Sequence, residues 1–179
     1  MEATLNTPGA LKYCVVDGKT MFVKDMVFYH FSELPCSDAL SLRRALENNP
    51  AALKAIERVI SDPIEQIEQY AICNFGKLNG TPDFVNGKVN VCETPPTSCG
   101  QTCRFNHKVC PRPVAKYGKP TLKEVEVALL VDGHTNKEIA NISGRSVNTI
   151  ITTISHLMQK IGCHERTSIV SWTHNCNLL

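Results

Sequence analysis

Cysteine is the residue type whose spacing first suggests chemistry in this chain of 179 residues. Five of its nine cysteines fall within 38 residues that are rich in Gly, Pro, Asn and Thr. That segment has few large apolar side chains, so metal ligation would supply the folding free energy that burial cannot. We predict a structural zinc site with four thiolate ligands, Cys73, Cys92, Cys103 and Cys110, and with Cys99 as the substitute ligand.

Two other interpretations of these cysteines stay open. The five are separated by 18, 6, 3 and 6 residues, without a CxxC pair. Four thiolates also hold an iron-sulfur cluster, which would make the protein a redox or oxygen sensor. Alternatively, the cysteines are free and pack as small hydrophobic residues. The isolated cysteines are predicted to pack rather than to bind metal: Cys14, Cys36, Cys163 and Cys176.

Residues that can bind nucleic acid recur on one side of a helix predicted near the C-terminus. Its other side is apolar at three- and four-residue spacing, through Val147, Ile150, Ile151, Ile154, Leu157, Met158 and Ile161. Asn148, Thr149, Thr152, His156 and Lys160 face away from that stripe. Asparagine pairs with adenine, threonine contacts a thymine methyl or a phosphate, and lysine reaches the DNA backbone. The alternative is an ordinary solvated helix face.

Helix start and stop signals position these residues. Thr121 with Glu124 and Thr135 with Glu138 form T-x-x-E capping boxes, which begin two short helices. Gly133 marks the turn between them, Ser146 caps the third helix, and Gly162 ends it. A weaker amphipathic pattern over 165–172 predicts a fourth helix.

These motifs resemble the LuxR/GerE-type helix-turn-helix domain of bacterial transcription regulators. The resemblance rests on Gly133, on 136–140 (NKEIA), on 146–150 (SVNTI) and on 160–162 (KIG). It implies a scaffold helix over 136–142 and a recognition helix over 146–161. Lys137 and Arg145 join Asn148, Thr149, Thr152 and Lys160 as candidate DNA contacts. The resemblance also implies dimerisation through the last helix, where Ile169, Val170 and Trp172 would form an apolar patch.

A basic segment precedes this domain. Residues 104–123 hold six basic and no acidic side chains, whereas residues 1–72 hold seven basic and ten acidic ones. Pro111, Pro113, Gly118 and Pro120 favour a linker over a helix. The candidate phosphate contacts of this segment are Arg104, Lys108, Arg112, Lys116 and Lys119.

The first seventy residues predict a small β-meander followed by helices. The β-rich runs are 12–16, 20–24 and 26–31, and helices begin near Ser37, Pro50 and Pro63. The predicted class is α+β with four segments: 1–72 (meander and helices), 73–110 (cysteine-rich, metal-stabilised loops), 111–120 (basic linker) and 121–179 (a four-helix helix-turn-helix domain). This arrangement loosely resembles cysteine-rich regulators of Bacteroides-type bacteria and their mobile elements.

The sequence favours a cytoplasmic DNA-binding transcription regulator over an enzyme. The motifs of nucleotide-binding loops and hydrolase nucleophiles are not found, and no run approaches the roughly 18 apolar residues of a membrane span. The expected partners are double-stranded DNA and RNA polymerase. Two alternatives to a zinc-containing regulator stay open. One is an iron-sulfur redox sensor, and the other is an adaptor whose helix-turn-helix contacts a protein partner.

Overall fold

A computed structural model describes residues 10–17, 19–75, 82–85, 88–89, 103–176 and 178–179. The chain divides into two compact units, Met1–Cys92 with Lys108–Pro111 and Glu93–His107 with Arg112–Leu179. The predicted α+β class is confirmed, because the described residues form a small antiparallel sheet and seven helices. Within these residues, no helix is both long and apolar enough to cross a membrane.

The first unit is built on an antiparallel sheet. Strands β1 (Ala10–Val16), β2 (Lys19–Lys24) and β3 (Val27–His30) form the predicted meander. Asp25 and Met26 have positive φ angles of 50° and 63°, which suits the two-residue turn that follows the twist of a hairpin. Two further strands, β4 (Phe84–Val85) and β5 (Lys88–Val89), were not predicted. They extend the sheet on the other side of β1, in the order β3-β2-β1-β4-β5.

Three helices complete this unit at the predicted positions. They are α1 (Cys36–Glu47), α2 (Pro50–Glu57) and α3 (Pro63–Phe75), and a 3₁₀ turn over Phe31–Glu33 connects β3 to α1. The rings of Tyr13, Phe31, Phe75 and Phe84 are buried together, with neighbouring centroids 5.4–6.0 Å apart. These aromatic contacts join α3 to the sheet and to β4.

An ion pair is buried in the first unit, and no sequence motif indicated it. Lys12 Nζ lies 2.6 Å from Asp83 Oδ1, and both side chains are at most 2% exposed. The backbone N–H of Tyr13 donates to the other carboxylate oxygen at 2.7 Å, and Asp83 N donates to Leu11 O at 2.8 Å. Burial raises the pKa of Asp83 to about 7, although Lys12 and the Tyr13 N–H both favour the carboxylate. The pair therefore ties the residue before β4 to β1.

The structure corrects the predicted surroundings of two cysteines. Cys73 lies in α3 and not in a loop, because the apolar pattern of that helix continues to the buried Phe75. Cys36, predicted to pack, is exposed at the first residue of α1. Cys14 and Cys176 are buried as predicted, and Cys163 is half-buried.

Four helices form the core of the second unit and confirm the predicted helical domain. They are α4 (Leu122–Val131), α5 (Asn136–Ser143), α6 (Val147–Ile161) and α7 (Arg166–Asn175). Every helix contributes to one core of fully buried side chains, which includes Val127, Ala128, Ile139, Ile150, Leu157 and Ile169.

The predicted helix starts are confirmed by their hydrogen bonds. Each threonine of the two capping boxes accepts from the N–H of its glutamate, and each glutamate side chain accepts from the N–H of its threonine. Ser146 Oγ likewise accepts from Thr149 N at 3.1 Å. Two of the helices end at a glycine in a left-handed conformation, α5 at Gly144 (φ 63°) and α6 at Gly162 (φ 79°).

Candidate nucleic-acid interface

The exposed face of α6 is the central feature of the candidate site. Asn148 and Thr152 lie one turn apart on this face, and Ser155 and Gln159 continue the line toward the C-terminus of the helix. The exposed residues of α6 are Asn148, Thr149, Ile151, Thr152, Ser155, His156 and Gln159. The structure therefore places the predicted Asn148, Thr149 and Thr152 together on one accessible surface.

Ile151 is a correction to the predicted apolar face. Its side chain is 49% exposed, whereas Ile150, Ile154 and Leu157 are buried. A helix turns about 100° per residue, so Ile151 lies beyond the edge of the stripe that these three form. The accessible face of α6 therefore carries a branched apolar side chain among polar ones.

Lys160, a predicted phosphate contact, is held by a carboxylate of its own unit. Its Nζ lies 2.7 Å from Glu124 Oε2, and the side chains are 29% and 8% exposed. Burial opposes ionisation of Glu124, but hydrogen bonds from Lys160 and Thr121 outweigh it and lower the pKa of Glu124. Lys160 thus links the C-terminal end of α6 to the first turn of α4.

The other two predicted DNA-contacting cations of the helical domain, Arg145 and Lys137, have different surroundings. Arg145 Nη2 lies 2.8 Å from Glu126 Oε2, so the turn before α6 is joined to α4. Lys137, in the first turn of α5, is exposed.

Because α6 itself has no aspartate or glutamate, no carboxylate on that helix would repel a phosphate.

The segment 111–120 was predicted as a linker, but from Arg112 onward it belongs to the helical unit and packs there. Ala115 and Gly118 form a short antiparallel bridge, and Tyr117 N donates to Lys160 O at 2.8 Å. Pro113, Ala115 and Pro120 are buried. Lys116 and Lys119 remain exposed, and Lys116 Nζ lies 5.0 Å from the centre of the Tyr117 ring. The turn therefore fixes Lys116 beside the C-terminal end of α6.

Arg166 positions the turn between α4 and α5, a role that no sequence pattern indicated. Its guanidinium donates to the side chain of Asn136 and to the backbone carbonyls of Val131 and His134. These three groups flank the turn between α4 and α5. In the sequence, Arg166 is only a basic residue at the start of the last helix. Its partners lie about thirty residues earlier in the chain, so no local pattern connects them.

The prediction that Ile169, Val170 and Trp172 form an apolar patch on the surface of the last helix is wrong. Ile169 is fully buried, and Val170 and Trp172 pack against the same helical core. These residues follow the face of α7 that the other three helices cover, so the helix presents mostly polar side chains outside. Dimerisation through α7 stays a prediction without this support.

The predicted metal site falls partly outside the described residues, since Cys92 and Cys99 are not described. Cys103 Sγ accepts from His107 N at 3.3 Å, across a turn in which Asn106 and His107 have positive φ. Cys73 Sγ accepts from Gln69 Nε2, also at 3.3 Å. Hydrogen bonds to sulfur are among the contacts that tune cysteine-ligated centres. Among the described side chains, however, no group of three His, Cys, Asp or Glu is arranged to hold a metal ion.

Two capped helices joined by a short turn, with a polar accessible face on the second, have the arrangement of a helix-turn-helix domain. The family comparison agrees with that arrangement. Residues 121–173 match the family described as "Bacterial regulatory proteins, luxR family". Comparison with curated proteins and with solved structures gives no match. The resemblance of the front region to cysteine-rich regulators of Bacteroides-type bacteria therefore stays a prediction.

Proposed function

We propose that this protein is a transcription regulator that binds double-stranded DNA through α6. One observation carries the proposal: residues 121–173 match a family of bacterial regulators, and within them α5 and α6 are two capped helices with an accessible polar face on the second. Asn148, Thr149 and Thr152 are the proposed base contacts. In helix-turn-helix proteins the N-terminal residues of the second helix reach the base edges of the major groove.

Electrostatics support a DNA ligand. Lys116, Lys119 and Lys137 are exposed in the second unit, and α6 adds no negative charge. Each exposed lysine that neutralises a phosphate releases a counterion, which favours binding at low salt. The positive end of the helix dipole, at Ser146 and Val147, adds attraction for the same backbone.

A structural zinc ion remains part of the proposal for the cysteine-rich segment. The hydrogen bonds to the sulfurs of Cys73 and Cys103 are compatible with ligation, and an iron-sulfur cluster is the alternative cofactor. We expect such a site to organise the loops from which the basic segment emerges. Arg104, Lys108 and Arg112 in that segment are exposed, as a phosphate contact requires.

A second candidate function is protein binding through the same helices. Ile142 is 57% exposed on α5 and Ile151 is 49% exposed on α6, while Arg145 and Lys160 pair with glutamates of α4. Exposed isoleucines on both helices, with two of the nearby cations already paired, suit a protein partner such as an RNA polymerase subunit. This adaptor would need no DNA affinity.

Titration of the full-length protein with fluorescent duplex DNA at several salt concentrations separates these functions. A regulator should bind, and its affinity should fall steeply with salt. On a selected site, Asn148→Ala should weaken binding by about 1–3 kcal/mol, as expected for loss of a base contact, with little effect on arbitrary DNA. Asn175→Ala, at an exposed asparagine of α7, is the matched control. Absence of measurable affinity for any duplex at low salt would contradict the regulator and favour the adaptor.

A further inference from the structure

The accessible face of α6 lacks the side chains that most often read guanine. Arginine or lysine paired with guanine O6 and N7 is the commonest specific contact in the major groove. Within α6 the sequence contains no arginine, and its one lysine, Lys160, is held by Glu124 at 2.7 Å. Guanine recognition by a cation of this helix is therefore disfavoured.

The threonine hydroxyls of α6 are turned toward the helix itself. Thr152 Oγ1 donates to Asn148 O at 3.0 Å, and Thr149 Oγ1 lies 2.9 Å from Ser146 Oγ. A hydroxyl that hydrogen-bonds to the preceding turn leaves the methyl group of threonine as its outward apolar part. Together with the exposed Ile151, these residues give α6 a methyl-rich surface.

Thymine is the base that such a surface fits. Its C5 methyl is the apolar group on the major-groove edge of the four bases, and adenine, its partner, is the base that asparagine pairs with through N6 and N7. One helical turn, about 5.4 Å, spans between one and two base-pair steps of about 3.4 Å. Asn148 and Thr152, one turn apart, can therefore address neighbouring base pairs.

We propose that α6 selects A·T base pairs, with Asn148 pairing with adenine and the methyl groups of Thr149, Ile151 and Thr152 packing on thymine methyls. This specificity rests on the proposed DNA-binding function and adds to it the chemical class of the preferred site. The same surface carries no carboxylate, the group that typically accepts from the exocyclic amino group of cytosine.

The first experiment selects duplexes from a random library with the full-length protein and then replaces thymines of the best site by uracil. We expect A·T pairs at the selected positions. Loss of one contacted methyl should weaken binding roughly 3- to 5-fold, the value of burying one methyl group. Selection of G·C pairs, no selection at all, or equal affinity for thymine and uracil would overturn the inference while leaving DNA binding intact. Failure to bind any duplex would instead remove the proposed function.

Two variants at Thr152 test which part of the side chain acts. Thr152→Val keeps a methyl group and removes the hydroxyl, so it should bind the selected site as tightly as the unmodified protein and keep its preference for thymine over uracil. Thr152→Ser keeps the hydroxyl and removes the methyl, so it should lose roughly 3- to 5-fold on thymine DNA. Its affinity should no longer depend on the methyl of the contacted thymine. The reverse pattern, with valine weakened and serine unaffected, would assign the contact to the hydroxyl and overturn the methyl mechanism.

Discussion

Lys160 lies on α6, the helix proposed to contact DNA, yet its ammonium group forms an ion pair with Glu124 of the same unit. The helical periodicity correctly placed it away from the apolar stripe of α6. Periodicity could not show that Glu124, 36 positions earlier, would lie 2.7 Å from its amine. A carboxylate that is 8% exposed needs such a partner, because burial of an unpaired charge is costly.

The Glu124–Lys160 pair predicts a pH-dependent contribution to stability. The pKa of Glu124 lies below its ordinary value of 4.5 because the hydrogen bonds from Lys160 and Thr121 outweigh burial. A lowered pKa stabilises the folded state above pH 4.5, and the contribution is lost as pH falls through the folded value. Lys160→Met should reduce the free energy of unfolding by roughly 1–2 kcal/mol at pH 7. The difference should shrink toward pH 3.

Urea unfolding followed by fluorescence of Trp172, the single tryptophan of the chain, measures this effect. Lys123→Met, at an exposed lysine of the same unit, is the control for loss of a positive charge. A difference between Lys160→Met and the unmodified protein that stays constant from pH 7 to pH 3 would contradict the assigned role of the pair.

The buried Lys12–Asp83 pair predicts strong coupling in the first unit. Lys12→Met leaves the Asp83 carboxylate without its cation among buried groups, which should cost about 3–5 kcal/mol. Adding Asp83→Asn removes the second charge but keeps an oxygen that can accept from the Tyr13 N–H, so it should recover much of that loss. Hydrogen exchange read by mass spectrometry should show faster exchange of β1 and β2 in the single variant, and near-normal exchange in the double variant. Additive losses in the double variant would mean that the two side chains do not act as a pair.

At the scale of helices and strands, local sequence signals predicted the helix ends well. Pairing between residues distant in the sequence was not predicted. Both capping boxes and the Ser146 cap use hydrogen bonds between residues three apart, so their sequence pattern contains the whole interaction. Strands β4 and β5 are two residues each, too short for a periodic pattern. They form because Phe84 pairs with Leu11 across the sheet and Asp83 pairs with Lys12. No local motif encodes such contacts.

Substitutions at Gly144 and Gly162, two glycines in the left-handed conformation, can test whether the segment before α4 packs against the end of α6. Gly144 and Gly162 both have positive φ, but a Cβ at Gly144 would meet no atom within 4 Å. A Cβ at Gly162 would lie 2.7 Å from Tyr117 Cε2. Gly144→Ala should therefore cost about 1–2 kcal/mol from backbone strain alone. Gly162→Ala should cost about 1 kcal/mol more, because the Tyr117 ring must move.

Tyr117→Ala in the Gly162→Ala background isolates the steric part. If the turn over 115–118 packs on the end of α6, removing the ring should restore about the additional 1 kcal/mol. The same Tyr117→Ala change beside Gly144→Ala should restore nothing. Equal behaviour of the two backgrounds in urea unfolding would show that the turn does not pack against Gly162.

At the scale of the whole molecule, the sequence divided the chain by composition, whereas the structure divides it by contacts. Residues 73–110 were predicted as one cysteine-rich segment because cysteine, glycine and proline are concentrated there. The structure assigns Lys108–Pro111 to the first unit, where Val109 O accepts a hydrogen bond from Asn74 of α3 at 3.2 Å. Composition indicates which residues resist helix formation, but it carries no information on which surface they pack against.

The predicted metal site makes a claim about the full-length protein that elemental analysis can test directly. We expect about one zinc ion per chain and no visible absorption, whereas an iron-sulfur cluster would give iron and a visible spectrum. Cys103→Ser and Cys110→Ser should each lose metal. Cys36→Ser, at an exposed cysteine outside the cysteine-rich segment, should retain it.

Metal loss should also weaken DNA binding while leaving the helices over 121–173 folded. Thiolate ligation is the strongest ordering force that the sequence offers for the loops up to Cys110, and its loss returns their chain entropy. Arg104 and Lys108 lie within those loops, so their charges would no longer be held in place. DNA titration and Trp172 fluorescence should be measured on the same metal-free samples of Cys103→Ser. Unchanged affinity after complete metal loss would separate the metal from DNA binding, and full metal content in that variant would exclude Cys103 as an essential ligand.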